Sequence, residues 1–372
     1  MAKYRIAWMP GDGVGVDVMD AARIVLDKLS FDAEYVPADI GWEFWRREGD
    51  PLPPRTVKIL KETDCALFGA ITSKPKEEAE AELVAELRGK GMVYSSPIVR
   101  LRQEFDLRTN KRPCKAYQGN PLNYRDDIDI MVFRENTEDL YSGVEFFPLP
   151  AELKDALAKT HKKALRFASM PDGEVALSCR FNTKRASRNI ITDAFNYAKA
   201  AGKKSVTVVE KPNVLRETSG LIVRTAREVA KEFPGIELWE TNIDAMCMWL
   251  IKNPNDYSVL VTSNMFGDIV SDLCAQLVGG LGFASSGNIG DNYAVFEPTH
   301  GSAPKYAGQH KVNPMAMLLT TKLMFEYLGE QPTADRLEAA IAGVIAEGKV
   351  RTYDMGGKSS TLDVANAVAA KL

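Results

Sequence analysis

Apolar positions along this chain recur with two periods, and the switches between them outline its elements. "YRIAWM" (4–9) is a strand-like run that leads into the turn "GDGVG" (11–15), after which "DVMDAARIVLDKL" takes up helical spacing. "RTVKILKET" is a further helix, followed by "CALFGAI" (65–71), a short apolar run of the buried-strand kind. "IDIMVFREN", "KSVTVVEKPN" and "YSVLVTSNM" are strands that end in polar residues, and "ETSGLIVRTAREVAKEF" is an amphipathic helix. Residues 76–88, "KEEAEAELVAELR", are strong helix formers with charged flanks and predict an exposed helical insertion with a solvated face. Alternating strands and helices predict an α/β protein built on a substantially parallel sheet. There is no solenoid repeat, and no Pro- or Gly-rich linker divides the chain, so a second domain is expected to be inserted into the first.

Composition narrows the function classes. A chain of 372 residues with 45% hydrophobic content can bury a sizeable core, and its length suggests about two domains. The net charge of -3 offers nothing to a polyanion, so no nucleic-acid partner is expected. No apolar run approaches the ~18 residues that cross a bilayer. The first residues run into a strand without a signal or transit pattern, which makes the expected location cytoplasmic. Cys65, Cys114, Cys179, Cys247 and Cys274 are scattered without a CxxC pair and are read as free, mostly buried thiols.

Candidate chemistry sits at strand ends. "GDGVG" follows a strand and opens a helix, but its third glycine is Gly15, one position short of the dinucleotide fingerprint, so a structural turn fits as well as a cofactor loop. In "NMFGDIVSDLCAQL" (264–277), Asp268 and Asp272 lie one helical turn apart in an apolar run. Like charges at that spacing repel. Either neighbouring arginines or a hard divalent cation, Mg²⁺ or Mn²⁺, answers them. "VRLRQEFDLRTNKRP" (99–113) carries Arg100, Arg102, Arg108 and Arg112, a density suited to carboxylates or to solvent. "FRENTEDLYSG" (133–143) and "EKPNVLRETSG" (210–220) place Arg134, Tyr141 and Lys211 at strand termini, and "EPTHGSAPKYAGQHKVNP" (297–314) is a glycine- and proline-punctuated loop able to cradle phosphate.

Taken together, "GDGVG", "LRQEFDL", "FRENTEDLYSG", "KPNVL", "IDAMCMWL", "NMFGDIVSDL", "HGSAPKYAG" and "TYDMGGKSST" resemble the isocitrate/isopropylmalate dehydrogenase family of metal-dependent β-decarboxylating dehydrogenases over nearly the whole chain. The resemblance implies that family's α/β fold, with a large cofactor-binding domain from residues 1–112 and 266–372 and a smaller inserted domain from 113–265 that carries a homodimer interface. It implies that Asp268 and Asp272, joined by Asp244 from the neighbouring subunit, hold Mg²⁺ or Mn²⁺. It further implies Ser96, Arg102, Arg112 and Arg134 on the substrate, Tyr141 as general acid and Lys211 as the residue that helps deprotonate the substrate hydroxyl. For the cofactor it implies Thr72, His300, Gly301, Ser302, Ala303, Lys305, Tyr306, Asn313 and Tyr353. Lys305, Tyr306 and Tyr353 follow the NADP-dependent pattern, so NADP is expected over NAD.

The resemblance favours isocitrate as the substrate, a 2-hydroxy acid to be oxidatively decarboxylated to 2-oxoglutarate. Homoisocitrate, 3-isopropylmalate, tartrate or a phosphonate analogue are the alternatives, and a non-catalytic regulatory subunit is the rival from another class. Against the family pattern, Val16-Asp17 offers a shorter acid after the glycine turn, Ile98 stands where the isocitrate pattern has an asparagine, and Arg100 and Arg108 are additions. Relief of like-charge repulsion also leads to the expectation that Asp268→Asn leaves the fold intact and stabilises the metal-free protein.

Overall fold

A computed structural model describes residues 2–372. Its strands are β1 (Tyr4–Gly11), β2 (Ala33–Pro37), β3 (Cys65–Ala70), β4 (Thr109–Lys115), β5 (Asp129–Glu135), β6 (Glu145–Phe146), β7 (Leu177–Ser178), β8 (Ser205–Glu210), β9 (Glu237–Asn242), β10 (Val259–Thr262), β11 (Ser285–Ile289) and β12 (Ala294–Pro298). Ten of them form one sheet in the order β2-β1-β3-β12-β11-β4-β5-β10-β8-β9, and β6 pairs with β7 apart from it. The two flanks of the large sheet are parallel, whereas β12-β11-β4-β5 in the middle are successively antiparallel. The chain is α/β, as the alternation predicts.

The flanks keep separate cores. On one side, the helix Val14–Leu29 buries Val18, Met19, Ala22, Val25 and Leu26 in a cluster shared with Leu318, Leu323, Val364 and Val368, which brings the two chain ends together. On the other, period-two alternation sends Val206, Val208, Val259 and Val261 to one face against Ile190, Phe195 and Val223. It sends Val209 and Leu260 to the opposite face against Met246 and Val270. The domain borders expected at 112/113 and 265/266 fall inside β4 and inside the helix Asn264–Gln276. Neither marks a linker.

Of the two readings left open for the glycine turn, the structural one has direct support: Gly13 has φ 57°, and a Cβ there would lie 2.1 Å from the Ser302 carbonyl oxygen. That contact lets Val14 N donate to Ser302 O at 2.8 Å and fixes the 301–313 loop to β1. The insertion has the expected exposed face at Lys76, Glu77, Glu78 and Ala81, but it is helical only over Lys76–Ala81 rather than through 88. Its continuation folds back because Ala79 and Leu83 are buried against Trp42 and Trp45, whose Nε1 donates to Ala79 O at 2.8 Å. Packing outweighed helix propensity here. All five cysteines are free; Cys65, Cys114 and Cys274 are buried, and Cys179 and Cys247 are half-buried. Among the described residues no helix is long and apolar enough to cross a membrane.

β4 is also tied to two helices behind the sheet, Met315–Tyr327 and Gln331–Glu347. Lys115 pairs with Glu338 at 2.6 Å, and Lys322 bridges Glu338 and Glu326 at 3.1 and 2.7 Å. Burial opposes the Glu338 charge, yet the two lysines hold its pKa down at about 2. A depressed carboxylate stabilises the fold above its unfolded pKa near 4.5, and that contribution is lost as pH falls toward 2. Glu338→Gln is therefore expected to cost about 2 kcal/mol at pH 7, after allowance for solvent screening of a part-exposed group. The gap in urea-unfolding free energy between variant and wild type should close between pH 4.5 and 2. A gap of constant size across that window would contradict the assignment.

Candidate active site

The middle of the sheet is unusually polar on one face. Alternation places Asn110 and Arg112 of β4 beside Ser286 and Asn288 of β11, and the register sets Asn110 opposite both Asn288 and Arg134. The buried amides form one network. Asn110 Nδ2 donates to Ser286 Oγ at 2.8 Å and to Asn288 Oδ1 at 2.9 Å, and Asn288 Nδ2 donates to Glu297 Oε1 at 2.8 Å. On this scaffold lie two guanidinium groups. Arg112 Nε donates to Asn110 Oδ1 at 2.6 Å, and Arg102 Nε donates to Asn288 Oδ1 at 3.0 Å while its Nη2 meets Glu297 at 3.3 Å.

The helix Asn264–Gln276 lies across this face. It approaches closely because Gly267 sits over Arg134, where a Cβ would come within 2.6 Å of Arg134 Cγ. Arg134 is 1% exposed, donates to Asn264 Oδ1 through Nε and Nη2 (3.0 and 2.7 Å), and pairs with Asp268. Arg112 reaches Asp268 at 3.3 Å, Asp272 at 3.2 Å and Ser271 Oγ at 2.7 Å. Tyr141 donates its hydroxyl to Asp268 Oδ2 at 2.5 Å, with the Arg134 guanidinium 4.9 Å above its ring. The doubled aspartate of the sequence is thus met by arginines within the chain itself.

These contacts separate the two carboxyls. Burial works against the Asp268 charge, but Arg134, Arg112 and the Tyr141 hydroxyl together hold it below the ordinary carboxylate value. Asp272 is raised by burial, which Arg112 only partly offsets. Burial and the nearby Arg112 and Arg102 push Arg134 below the usual guanidinium range. Tyr141 is raised by burial and then by its bond to Asp268, so it stays protonated at neutral pH.

Lys211 and Asp244 stand apart from this cluster and pair with each other, Asp244 in the first turn of the helix Ile243–Lys252. Among the described residues no three His, Cys, Asp or Glu side chains converge as a metal-binding group. Ser96 occupies the N-cap position of the helix Pro97–Glu104 without a side-chain capping bond. Arg100 and Arg108 are committed elsewhere: Arg100 pairs with Asp50, and Arg108 with Asp291 and Asp193. Neither turns to the insertion.

Two adjoining cavities flank His300 and Gly301. The smaller, about 160 Å³, runs beside Arg102, Arg112, Glu297 and the apolar Ile71 and Ile98. The larger, about 290 Å³, takes in Ala303, Tyr306, Asn313 and Tyr353. Burial lowers the pKa of His300, whose Nδ1 lies 3.0 Å from Gly301 O and whose buried Nε2 has no partner. That unsatisfied atom and the empty volume beside it fit a bound cofactor. Thr72 and Ser302 lie just outside, their hydroxyls 2.6 Å apart. Lys305 and Lys311 stand over the Tyr306 ring at 4.7 and 5.8 Å, and Lys311 also covers Tyr353 at 5.4 Å. The shorter acid Asp17 proves fitted to this loop, accepting the backbone N–H of Gly308 and of His310 at 3.1 Å each.

Sequence reasoning missed Asn110, Asn288, Asn264, Glu297 and Lys311. Asn110 and Asn288 fall in the polar segments "TNKRPCK" and "SSGNI", whose own residues do not read as strands; Asn264, at the start of the aspartate helix, carries the one available signal, and Lys311 and Glu297 carry none.

Comparison with known proteins agrees with this architecture. The isocitrate/isopropylmalate dehydrogenase family model matches residues 5–368. The 3-isopropylmalate dehydrogenase of Methanothermobacter thermautotrophicus is 41% identical over 100% of this chain and 99% of its own length. Protein DlpA of Legionella pneumophila is 39% identical over 98% of this chain, which spans only 58% of that relative. The crystal structure of isocitrate dehydrogenase from Methylococcus capsulatus superposes with a TM-score of 0.86 at 34% identity, covering 99% of both chains.

The arginine contacts reverse the expected effect of Asp268→Asn. Asp268 supplies the only carboxylate paired with the buried Arg134 among the described residues. Its neutralisation should destabilise the metal-free protein by about 3 kcal/mol, the order of cost for an uncompensated buried charge. Asp272, whose side chain is 57% exposed, should lose at most about 1 kcal/mol on conversion to Asn. Urea unfolding of both variants decides the point, and equal losses would refute the burial argument.

Proposed function

The chain belongs to the isocitrate/isopropylmalate dehydrogenase family and is a β-decarboxylating hydroxyacid dehydrogenase; on that premise we propose that it oxidatively decarboxylates a 3-substituted malate with NADP and Mg²⁺ or Mn²⁺. Arg102, Arg112 and Arg134 are the carboxylate-binding groups, since a guanidinium fork matches a carboxylate in two parallel bonds. Asp268 and Asp272 would hold the cation with Asp244 of the partner subunit, an all-oxygen donor set suited to a hard ion. The solvent-facing Asp244, 68% exposed, supports this arrangement, as do the exposed apolar Met248, Ile251 and Ile269 beside these aspartates. When bound, the cation polarises the substrate's hydroxyl and carboxylate, and the nicotinamide accepts the hydride. Lys211 Nζ, paired with Asp244 of its own chain and so brought with it to the neighbouring subunit's site, helps remove the hydroxyl proton, and Tyr141, kept protonated by burial and Asp268, returns a proton to the carbon that has lost its carboxylate. With all of these groups present, the regulatory-subunit reading has no missing catalytic residue to rest on.

Charge balance in the cavity carries the choice of substituent. Arg102, Arg112 and Arg134 already face Asp268, Asp272 and Glu297. A divalent cation with a malate dianion adds no net charge, whereas a third carboxylate requires a further cation. Arg100 and Arg108 are taken by Asp50 and Asp291, and the available wall is Ile71 and Ile98. A compact apolar substituent, as in a 3-alkylmalate, fits best. Isocitrate is the second reading, favoured by the free Ser96 hydroxyl at a helix N-terminus, where a carboxylate is stabilised. For the cofactor, Lys305 and Lys311 over the two tyrosine rings favour the 2′-phosphate of NADP.

A panel of 3-isopropylmalate, 3-methylmalate, isocitrate, homoisocitrate, tartrate and malate with Mn²⁺ and either cofactor tests both choices. The best kcat/KM is expected for an alkylmalate with NADP, by about tenfold over isocitrate and over NAD. A clear preference for isocitrate overturns the charge-balance argument, a clear NAD preference overturns the cofactor choice, and no turnover of any member overturns the function.

A further inference from the structure

Beside the aspartate helix lies a second buried ionic junction that none of the roles above uses. Its centre is Arg180, in the extended segment after β7. The guanidinium donates from Nε to Asp139 Oδ1 at 2.5 Å, from Nη2 to Ser263 Oγ at 2.7 Å and from Nη1 to Ser219 Oγ at 3.2 Å. Nη2 also reaches Glu210 Oε2 at 3.5 Å, and the group sits 4.9 Å above the Phe266 ring. Asp139, Glu210, Ser219 and Ser263 are fully buried. Among the described residues no other cation pairs with Asp139 or Glu210.

Each partner belongs to a different working segment. Asp139 stands two residues before Tyr141, is held at φ 69°, and accepts the N–H of Met265 at 3.0 Å in the first turn of the aspartate helix. Glu210 immediately precedes Lys211; it accepts Ser263 N at 2.8 Å and the Ser219 hydroxyl at 2.5 Å. Ser219 Oγ accepts Lys211 N at 3.3 Å in turn. One planar fork therefore meets the turn of the acid, the strand end of the base and the start of the metal helix. A planar guanidinium can hold several fixed directions at once, which a lysine ammonium on a flexible stem cannot.

We propose that Arg180 is a positioning residue that fixes Tyr141, Lys211 and the Asp268 helix relative to one another. The proposal rests on the catalytic roles given above to those three segments. Because Lys211 and Asp244 would serve the partner's site while Tyr141 and Asp268 stay in their own, Arg180 also links the two active sites of a dimer.

The test compares full-length wild type, Arg180→Lys and the double variant Ser219→Ala/Ser263→Ala. Each is measured for circular dichroism, for Mn²⁺ affinity by calorimetry without substrate, and for kcat and KM on the best acid of the panel. Arg180→Lys keeps the charge and loses the fork. It is expected to fold, to keep its KM for the cofactor, to bind Mn²⁺ more weakly and to lose about 100-fold in kcat, the scale of an ångström of misplacement. The double variant should lose kcat in the same direction by about tenfold, as two of the anchoring bonds are gone. A folded Arg180→Lys with wild-type kcat and Mn²⁺ affinity overturns the proposal. Should Arg180→Lys not fold, the double variant decides: reduced kcat with unchanged cofactor KM supports positioning, and wild-type kcat refutes it. If wild type turns over no acid on the panel, the function is wrong, and the Mn²⁺ affinities still judge Arg180 on their own: weaker binding in the variants supports it, equal binding refutes it.

Discussion

The structure turns on one constraint, the burial of three guanidinium groups on the polar face of the central strands. A buried charge without a partner costs several kcal/mol, so Arg102, Arg112 and Arg134 dictate what surrounds them. Glu297 and Asp268 supply opposite charge, and Asn288, Asn110 and Asn264 each accept from one of the three guanidinium groups. Asn110 and Asn288 are also bonded to each other, which ties the two strands' amides into one network. Antiparallel pairing in the middle of the sheet serves the same end, because it sets β4 and β11 side by side with their amides in register.

Seen from this constraint, the aspartate helix has two tasks. Asp268 compensates the arginines and Asp272 remains half-exposed, so the pair combines one carboxyl held below the ordinary value with one raised above it. In the proposed reaction, Asp268 and Asp272 would hold a cation and the arginines a dianionic acid, so that carboxylate–arginine pairs would be exchanged for others without a change in total charge. Such an exchange would let so charged a site be stable when empty and receptive when loaded. The cofactor loop is pinned independently, by Gly13 beneath Ser302 and by Asp17 on the Gly308 and His310 amides.

Much of this was legible in the sequence where local pattern and tertiary demand coincide. β1, β3, β5, β8 and β10 are apolar runs, and the amphipathic helices between them follow the expected period. β4 was not legible, because "TNKRPCK" is polar on both faces: Arg112 and Asn110 belong to the site, and Lys111 and Lys115 to ion pairs behind it. Its strand character comes from its neighbours rather than from its own residues. The 76–88 segment failed for the converse reason. Its composition favours helix, but two buried side chains, Ala79 and Leu83, bend it onto Trp42 and Trp45 of the helix Trp42–Glu48. The pairing of Asp268 and Asp272 was readable, and their arginine partners were named singly; that both sets share one charge account required the register of the sheet.

The central claim is that a working site combines Asp268 and Tyr141 of one subunit with Asp244 and Lys211 of another. Mixing subunits tests it most directly. Asp268→Asn and Asp244→Asn proteins, each inactive alone, are unfolded together in equal amounts, refolded and assayed. In a mixed dimer both lesions fall on one site and leave the other whole, so random pairing is expected to restore about a quarter of wild-type activity. Activity no higher than that of the separate variants, with mixed dimers verified by mass, would contradict the shared site.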